Sequence, residues 1–245
     1  MKATPEEQRQ VLVLQGIDTT LAQLKHERAT LETIAQLAEL EARETELNKE
    51  RTQNMAELSD AKRELTRAED DVMQVRTRAS RQRTRLDEGT ASPKELQAIQ
   101  EELELLGVRQ GELEDQELAA MEAMEALEQT KVRIESDLEH VAQDRSKTQE
   151  AHDAADNRLG AQISQENTTR DSVAASIPPA LLREYENIRQ STGGLGAVAL
   201  RGVRVEGMAL EFPTVEINKI RKAAPDDVLI SEEYEYMLIR VEDEG

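Results

Sequence analysis

The middle of the chain carries leucine, isoleucine and methionine in a repeating 3–4 spacing that extends from Leu96 to Leu159. A spacing that averages 3.5 residues places these side chains along one face of a single long helix, the seam of a left-handed coiled coil. Such a helix cannot bury its seam against itself, so a second helix must pack on it. The position of that second helix decides the fold.

The second helix lies directly upstream, because the same spacing runs through residues 58–86. In the short segment between the two patterns, Gly89 suits a helix C-terminus, and Ser92 followed by proline is typical of a helix start. Two long helices joined by so short a loop must be antiparallel. The sequence therefore predicts a mainly α fold, with a coiled-coil hairpin over residues 1–176 whose tip lies near 87–92.

Opposite charges beside the seam support this hairpin. In an antiparallel pair, g positions face g positions and e positions face e positions. Folding the chain about Gly89 and Thr90 sets four charged pairs side by side: Arg85 with Glu95, Arg78 with Glu102, Asp71 with Arg109, and Lys62 with Glu114. Each exposed pair contributes only about 0.2–1 kcal/mol, so the pairs specify register more than stability.

Two parts of the hairpin depart from a regular apolar seam. The leucine spacing tightens and then widens across residues 32–57, which predicts a bent or less regular stretch without a break, since no Gly or Pro interrupts it. Polar side chains also occupy five seam positions: Gln110, Glu117, Lys131, Arg145 and His152. These either discriminate register and partner number or mark where a third helix joins, and the sequence leaves both open.

The character of the chain changes after the hairpin. Consecutive prolines at 178 and 179 end the second long helix, and a short amphipathic helix follows. The glycine-rich segment 191–196 is interpreted as a flexible joint, since its position before a strand is wrong for a phosphate-binding loop. Four short strands and one short helix then predict a small α+β module, so that residues 177–245 form the second domain.

Composition narrows the function classes. The net charge of −20 argues against broad docking on nucleic acid or on an anionic membrane, because phosphate binding needs clustered Lys and Arg. The longest apolar run near the N-terminus is too short for a membrane span or a signal segment, so we expect a cytoplasmic protein. The chain has no cysteine, which excludes disulfides and thiol chemistry.

Several stretches resemble a bacterial family of coiled-coil hairpin proteins with a C-terminal four-cysteine zinc ribbon. The matching stretches are residues 92–103, 112–122, 223–228 and 237–240, and the order of hairpin, double proline, small helix, glycine loop and ribbon also agrees. The resemblance implies two Cys-x-x-Cys pairs that bind zinc. In this chain those four positions hold Val205, Met208, Ser231 and Tyr234. The sequence therefore predicts a degenerate ribbon without metal or other cofactor.

The resemblance implies a non-enzymatic adaptor or chaperone-like protein, since relatives resemble chaperones or scaffolds for an alternative sigma factor and for flagellar or secretion proteins. We expect protein partners at the hairpin and at the C-terminal module, and no catalytic residues, because no catalytic motif or cleft is evident. The alternative is a nucleic-acid-binding protein that uses the basic residues Arg76, Arg81, Arg83, Lys219, Arg221 and Lys222. For the arginine run, pairing within the hairpin is favoured over a phosphate contact.

Overall fold

The computed structural model describes residues 1–90, 92–207 and 212–241, and most of them are helical. The elements in chain order are α1 Pro5–Ala29, α2 Glu32–Asp87, α3 Pro93–Ser176, α4 Pro179–Ser191, β1 Ala197–Arg201, β2 Arg204–Val205, α5 Thr214–Lys222, β3 Leu229–Ile230 and β4 Met237–Val241. This order confirms the predicted fold class, a long helical hairpin followed by a small α+β region. None of the helices in the described ranges is both long and apolar enough to cross a membrane.

Two capping boxes begin the predicted helices. At the N-terminus, the Thr4 backbone N–H donates to the Glu7 carboxylate at 2.7 Å, and the Glu7 N–H donates to Thr4 Oγ1 at 3.2 Å. At the tip, the Ser92 N–H donates to Glu95 Oε2 at 2.8 Å, and the Glu95 N–H donates to Ser92 Oγ at 3.4 Å. Gly89, just beyond the end of α2, has a φ of 61°, which glycine adopts without a Cβ clash.

The first long helix is interrupted at Thr30 and Leu31, which the sequence did not predict. The Thr30 hydroxyl donates to the backbone oxygen of His26 at 2.8 Å. Thr45, Thr52 and Thr66 make the same bond inside the continuous helix α2, so this bond does not by itself end a helix. Residues 32–57, predicted to be the irregular stretch, lie in the continuous helix α2.

The chain divides into two compact units, of which unit 2 comprises residues 35–149. In unit 2, α2 and α3 are antiparallel, because Arg78 lies 2.5 Å from Glu102 while Arg43, earlier in α2, lies 3.9 Å from Asp137. The most buried side chains recur at the predicted seam positions: Leu58, Val72 and Ala79 on α2, and Ile99, Leu106, Leu113 and Ile134 on α3. The hairpin therefore buries one narrow stripe.

Asn54 occupies the seam between Leu47 and Leu58 and is only 4% exposed. Asn54 lies seven residues after Leu47 and four before Leu58, so it occupies a seam position of the heptad repeat at which the sequence has no apolar residue. Its Nδ2 donates to the backbone oxygen of Leu127 on α3 at 3.1 Å. Its Oδ1 is buried and has no partner among the described residues. The hairpin thus contains a half-satisfied polar group in its seam.

Unit 1 comprises residues 1–34 and 150–245. It contains a four-stranded sheet in the order β2-β1-β4-β3, in which the central strands β1 and β4 are parallel and the outer pairs are antiparallel. One apolar cluster joins α1, α4 and the sheet, with Val11, Leu14 and Tyr185 fully buried. The predicted boundary between residues 176 and 177 lies inside this unit.

The N-terminal residues pack against the C-terminal module. The Ala3 N–H donates to the backbone oxygen of Asp226 at 2.9 Å, and the Val228 N–H donates to that of Met1 at 3.2 Å. The Lys2 ammonium lies 2.8 Å from the Asp226 carboxylate, and its hydrogen bond lowers the pKa of that carboxyl. These contacts join the first three residues of the chain to the module within unit 1.

Candidate functional site

The structure brings together some of the predicted register pairs at the tip. Arg78 Nε donates to Glu102 Oε1 at 2.8 Å, the contact that the sequence predicts. Arg85 instead donates to Gln82 at 3.3 Å. The Glu95 carboxylate accepts the capping bonds of Ser92, and these bonds, with a smaller contribution from the charge of Arg85, lower the pKa of Glu95.

On the other flank the prediction that Lys62 pairs with Glu114 is wrong. Lys62 lies 3.5 Å from Glu128, and Glu114 accepts from Arg76 at 2.7 Å. Helical side chains lean toward the N-terminus of their own helix, which in an antiparallel pair means in opposite directions. Lys62 therefore leans away from Glu114 and toward Glu128, which lies two heptads further along α3.

The predicted pair of Asp71 and Arg109 is also absent from the ion pairs of the described residues. Arg109 Nη1 donates to Glu112 Oε2 at 2.9 Å, on its own helix. A partner three residues away on the same helix surface is within easy reach, whereas a cross-helix partner requires both long side chains to be held extended. Two charged residues at facing positions of α2 and α3 therefore do not necessarily form an ion pair.

The basic residues proposed for nucleic acid fall into two groups. Arg76 and Lys219 form ion pairs with Glu114 and Glu232. The other four are exposed, without an ion pair recorded in the described ranges: Arg81 and Arg83 in unit 2, and Arg221 and Lys222 in unit 1. The six cations are divided equally between the two units.

The family's metal positions hold side chains that do not fit zinc. Val205 is buried in an apolar cluster with Phe212 and Leu238, against which Tyr234 packs. The rings of Phe212 and Tyr234 meet edge-to-face with centroids 6.0 Å apart. Ser231 is buried and its Oγ accepts from the Tyr234 N–H at 3.2 Å. Met208 lies outside the described residues.

Zinc needs thiolate, imidazole or carboxylate ligands that converge on one point. The three described positions offer one hydroxyl, one phenol and one hydrocarbon side chain, and the hydroxyl is already engaged. Within residues 1–90, 92–207 and 212–241 no three His, Asp or Glu side chains cluster in a way that would hold a metal. In the described part of the module, Val205 and Tyr234 therefore belong to an aliphatic and aromatic core that does not fit zinc.

Unit 1 contains a cleft lined by arginines. It has a volume of about 450 Å³ and lies between the start of α1, the turn after β1, the end of α5 and β4. Three arginines line it together with apolar residues: Arg9, Arg221 and Arg240, with Pro5, Ile220, Ala223, Pro225 and Val241. We call it the arginine cleft. Only Arg221 was singled out from the sequence.

Each arginine of the cleft is placed by a different element. Arg240, on β4, donates to the backbone oxygen of Ala224 at 2.8 Å and to that of Ile220 at 3.3 Å, so it caps the end of α5. Arg9, on the first turns of α1, lies 3.3 Å from Glu6. In a chain with a net charge of −20, three cations around an apolar floor suit an acidic ligand that also carries apolar groups.

A separate, largely buried polar cluster in unit 1 joins α1, α3 and α4. Arg170 Nε, on α3, donates to Asp18 Oδ1 on α1 at 2.6 Å. The Tyr185 hydroxyl, on α4, donates to Asp18 Oδ2 at 2.8 Å. Glu186 accepts from Arg189 at 2.8 Å and also forms an ion pair with Arg170. We call these five residues, Asp18, Arg170, Tyr185, Glu186 and Arg189, the charge cluster.

The environment of the charge cluster changes the pKa values of its members. Burial alone would raise the pKa of Asp18, but hydrogen bonds from Arg170 and Tyr185 and the positive charges of both arginines outweigh burial, so the pKa is lowered. The same balance lowers the pKa of Glu186. Burial, followed by Asp18, raises the pKa of Tyr185. Both acids are therefore held ionised next to two arginines.

The glycine-rich segment is fixed by hydrogen bonds to α1. Gln15 Oε1 accepts from the Gly196 N–H at 2.6 Å, and Gln15 Nε2 donates to the backbone oxygen of Gly194 at 3.1 Å. A Cβ on Gly196 would lie 2.5 Å from the Tyr185 ring, so only glycine fits this approach. The sequence did not predict these contacts, because Gln15 lies far upstream in the chain.

Sequence reasoning missed the charge cluster because its members are far apart in the chain. Asp18 and Gln15 are polar residues of α1, and polar residues on a helix normally face solvent. One weak signal was present: Tyr185, Glu186 and Arg189 follow the double proline on a short helix that must pack on something. Nothing in that pattern identifies α1 as the partner.

A long antiparallel coiled-coil hairpin followed by a small α+β module defines the structural class. The family model of the CT398-like coiled coil hairpin domain matches residues 14–193, and the chain belongs to this family. Uncharacterised proteins of two Mycobacterium tuberculosis strains, MT2288 and Rv2229c, are each 30% identical over 242 residues, covering 99% of this chain and 98% of the relative. Neither relative is described as an enzyme.

Solved structures share the fold over nearly the whole chain. A protein from Mycobacterium smegmatis is 32% identical, with a TM-score of 0.80 over 98% of this chain and 100% of the other. CT398 from Chlamydia trachomatis is 15% identical, with a TM-score of 0.68 over 96% and 98% of the two chains. HP0958 from Helicobacter pylori is 10% identical, with a TM-score of 0.52 over 97% and 98%. The latter two show similarity of fold alone.

Proposed function

We propose that this protein is a non-enzymatic, cytoplasmic adaptor that binds protein partners through its C-terminal module and its hairpin. The observation that carries the proposal is the arginine cleft of unit 1. It combines three cations with an apolar floor, which suits an acidic segment of a protein that also presents a hydrophobic side chain. The hairpin residues offer further contact surface.

The charge cluster supports this assignment. It holds α1, α3 and α4 in place, while backbone hydrogen bonds from Ala3 and Val228 tie the chain start to the module. A binding surface made of several elements needs such fixed positions, because ordering mobile elements on binding would cost affinity. The cleft borders on α1, α5 and β4, so it benefits directly from that rigidity.

Nucleic-acid binding is the alternative, and the exposed Arg81 and Arg83 favour it. Three features weigh against it. Glu69 and Glu117 line the same groove as Arg81, and carboxylates repel phosphates. Arg76 is already paired with Glu114. The chain also has few aromatic side chains on which bases could stack, with one Phe, three Tyr and no Trp.

The test compares two double variants of the full chain that change charge equally. Arg9→Glu with Arg221→Glu reverses the cleft, and Arg81→Glu with Arg83→Glu reverses the tip. Tagged wild type and both variants would be used for affinity capture from the native cell, with protein and RNA quantified separately. We expect the cleft variant to lose specific proteins by at least about tenfold, while the tip variant keeps them.

Two results would contradict the adaptor function. One is recovery of RNA rather than protein, lost in the tip variant and falling steeply with salt, which would favour the alternative. The other is a set of captured proteins that is identical for all three chains, which would remove the arginine cleft from the function. Circular dichroism of each variant serves as the folding control.

A further inference from the structure

The hairpin of unit 2 exposes its large apolar side chains unevenly. Seven such side chains are exposed among the described residues of the unit: Met55, Met73, Leu105, Val108, Leu118, Met121 and Val132. Five of them share one flank. We call this surface the apolar flank and define it by Met55, Met73, Leu118, Met121 and Val132.

Contacts at one level of the hairpin show that Met55 and Val132 share this flank. Met55 and Lys62 line one shallow groove on α2. Lys62 reaches across to Glu128 on α3 at 3.5 Å. Val132 lies one turn from Glu128, and the two line an adjoining groove. Lys131 lines the same groove as Met55. Val132, the next residue after Lys131, therefore lies at the same height along the hairpin as Met55.

A second level nearer the tip repeats this arrangement. Met73 and Arg76 line one groove on α2, and Arg76 donates to Glu114 on α3 at 2.7 Å. Leu118 lies one turn from Glu114, on the same helix face. Glu117 lines the groove of Met73, which places Leu118 at that level. Met121 follows Leu118 on the same stripe by helical spacing.

The charges of the apolar flank differ in balance between its two helices. The α2 side carries Lys62 and Arg76, with Glu69 in the groove of Met73. The α3 side carries Glu114, Glu125 and Glu128, with Arg133 beside Val132. Each level therefore presents a methionine beside a cation on α2, and an aliphatic side chain beside a carboxylate on α3. Such a surface is complementary to itself after rotation about an axis along the hairpin.

We propose that the apolar flank binds a second copy of this chain. A two-fold axis parallel to the helices sets α2 of one copy against α3 of the other, with both tips pointing the same way. Met55 of each copy then packs on Val132 of the other, and Met73 on Leu118. Lys62 and Arg76 face the carboxylates of the opposite copy. This self-association goes beyond the proposed adaptor function and does not depend on it.

The alternative two-fold axis, perpendicular to the helices, is disfavoured by charge. It would set α2 against α2 and α3 against α3. Lys62 and Arg76 of one copy would then approach Lys62 and Arg76 of the other, and the glutamates of the two copies would approach each other. Like charges in direct opposition destabilise an interface, whereas opposite charges also fix its orientation. The parallel arrangement is therefore the one that the surface specifies.

The size of the surface suits a stable dimer. Met55 and Met73 are eighteen residues apart on α2, which at 1.5 Å per residue is about 27 Å. With one further turn at each end and two helices in width, the face covers about 40 by 20 Å, or roughly 800 Å² per copy. A standard protein–protein interface buries about that area on each partner.

The opposite flank lacks these features. Its groove is lined by Glu64, Arg67, Asp71, Gln116 and by alanines at 68, 119, 120 and 123. No large apolar side chain lines that groove, and its charged residues Glu64, Arg67 and Asp71 all lie on α2. A second copy would find little to bury there.

The first test is the mass of the full chain in solution by sedimentation velocity and light scattering, from about 1 to 300 µM. We expect a monomer–dimer equilibrium. Met55→Ser with Val132→Ser should weaken the dimer at least about tenfold, because both substitutions remove apolar contact. Leu105→Ser with Val108→Ser, equally exposed but off the flank, should leave it unchanged. A wild-type chain that remains monomeric throughout would overturn the proposal.

Disulfide crosslinking tests the arrangement of the two copies. The chain has no cysteine of its own, so a disulfide can form only between introduced cysteines. One chain carries Met55→Cys and a differently tagged chain carries Val132→Cys. We expect a mixed crosslinked dimer after mild oxidation, and much less when Met55→Cys is paired with Leu105→Cys. A dimer whose Met55→Cys chains crosslink to each other in preference to the mixed pair would contradict the parallel two-fold arrangement.

Discussion

Asp18 keeps its charge although its side chain is only 6% exposed, because Arg170, Arg189 and Tyr185 surround its carboxylate. A buried carboxylate is costly unless several donors replace its lost water. Here the donors come from α3 and α4, so satisfying one charge also fixes the positions of two helices against α1. The charge cluster therefore specifies an arrangement that apolar packing alone would leave loosely defined.

Asp18→Asn tests this role. The substitution keeps the shape but leaves Arg170 and Arg189 with Glu186 as their one carboxylate in the charge cluster. Removing one member of a buried ion pair costs about 3–5 kcal/mol, and partial exposure of Arg170 reduces this to about 2–4 kcal/mol. We expect a lower urea midpoint by circular dichroism and faster hydrogen exchange in α4. Glu27→Gln, an exposed acid on the same helix, is the control and should change neither.

The pH dependence of the Asp18→Asn effect follows from the lowered pKa of Asp18. The pKa of Asp18 is lower in the folded chain than in the unfolded chain, where it is about 4. Its contribution to stability is therefore complete above about pH 4, and this contribution disappears as the pH falls through the folded pKa. The stability difference between wild type and Asp18→Asn should therefore shrink from pH 6 toward pH 3. A difference that stays constant over that range would show that Asp18 acts through shape and not charge.

At the scale of the element, the 3–4 spacing predicted α2 and α3 well because burial of a stripe is a local property of each helix. The Thr30 interruption and the cross-helix ion pairs were not predicted, since both depend on where side chains reach in three dimensions. Asn54 shows the limit most clearly: its sequence position looked like a gap in the leucines, and the structure shows that it occupies the seam.

Asn54→Leu should stabilise the hairpin. It replaces a side chain whose Oδ1 is buried without a hydrogen bond among the described residues with one that fills the seam. Relief of an unsatisfied group and added apolar burial should together raise the free energy of unfolding by about 1–2 kcal/mol. The measurement is the urea midpoint, with an unchanged m-value as the check on two-state behaviour.

Asn48→Leu is the matched control for Asn54→Leu. Asn48 is half-buried on the same helix, and its Nδ2 donates at 2.9 Å to the backbone oxygen of Glu44, within α2. Its substitution should change stability by less than about 0.5 kcal/mol. A midpoint that falls in Asn54→Leu would mean that the bond to the Leu127 carbonyl outweighs the unsatisfied oxygen.

At the scale of the whole molecule, we predict that stability does not depend on zinc. The purified protein should contain no stoichiometric metal by elemental analysis, and a strong chelator should leave the melting temperature within about 1 °C. The reason is that Val205, Ser231 and Tyr234 supply no set of ligands for zinc, whereas proteins folded around structural zinc unfold when it is removed. Zinc near one equivalent would overturn the assignment.

The sequence by itself determined the hairpin, the helix start at Ser92, the small α+β module and the absence of cysteine. Each of these depends on neighbours along the chain or on the chemistry of single residues. Only the tertiary structure decided that α1 and the C-terminal module form one unit, that Lys62 pairs with Glu128, and that three arginines line one cleft. These features depend on the direction and reach of side chains from distant segments, which no periodicity encodes.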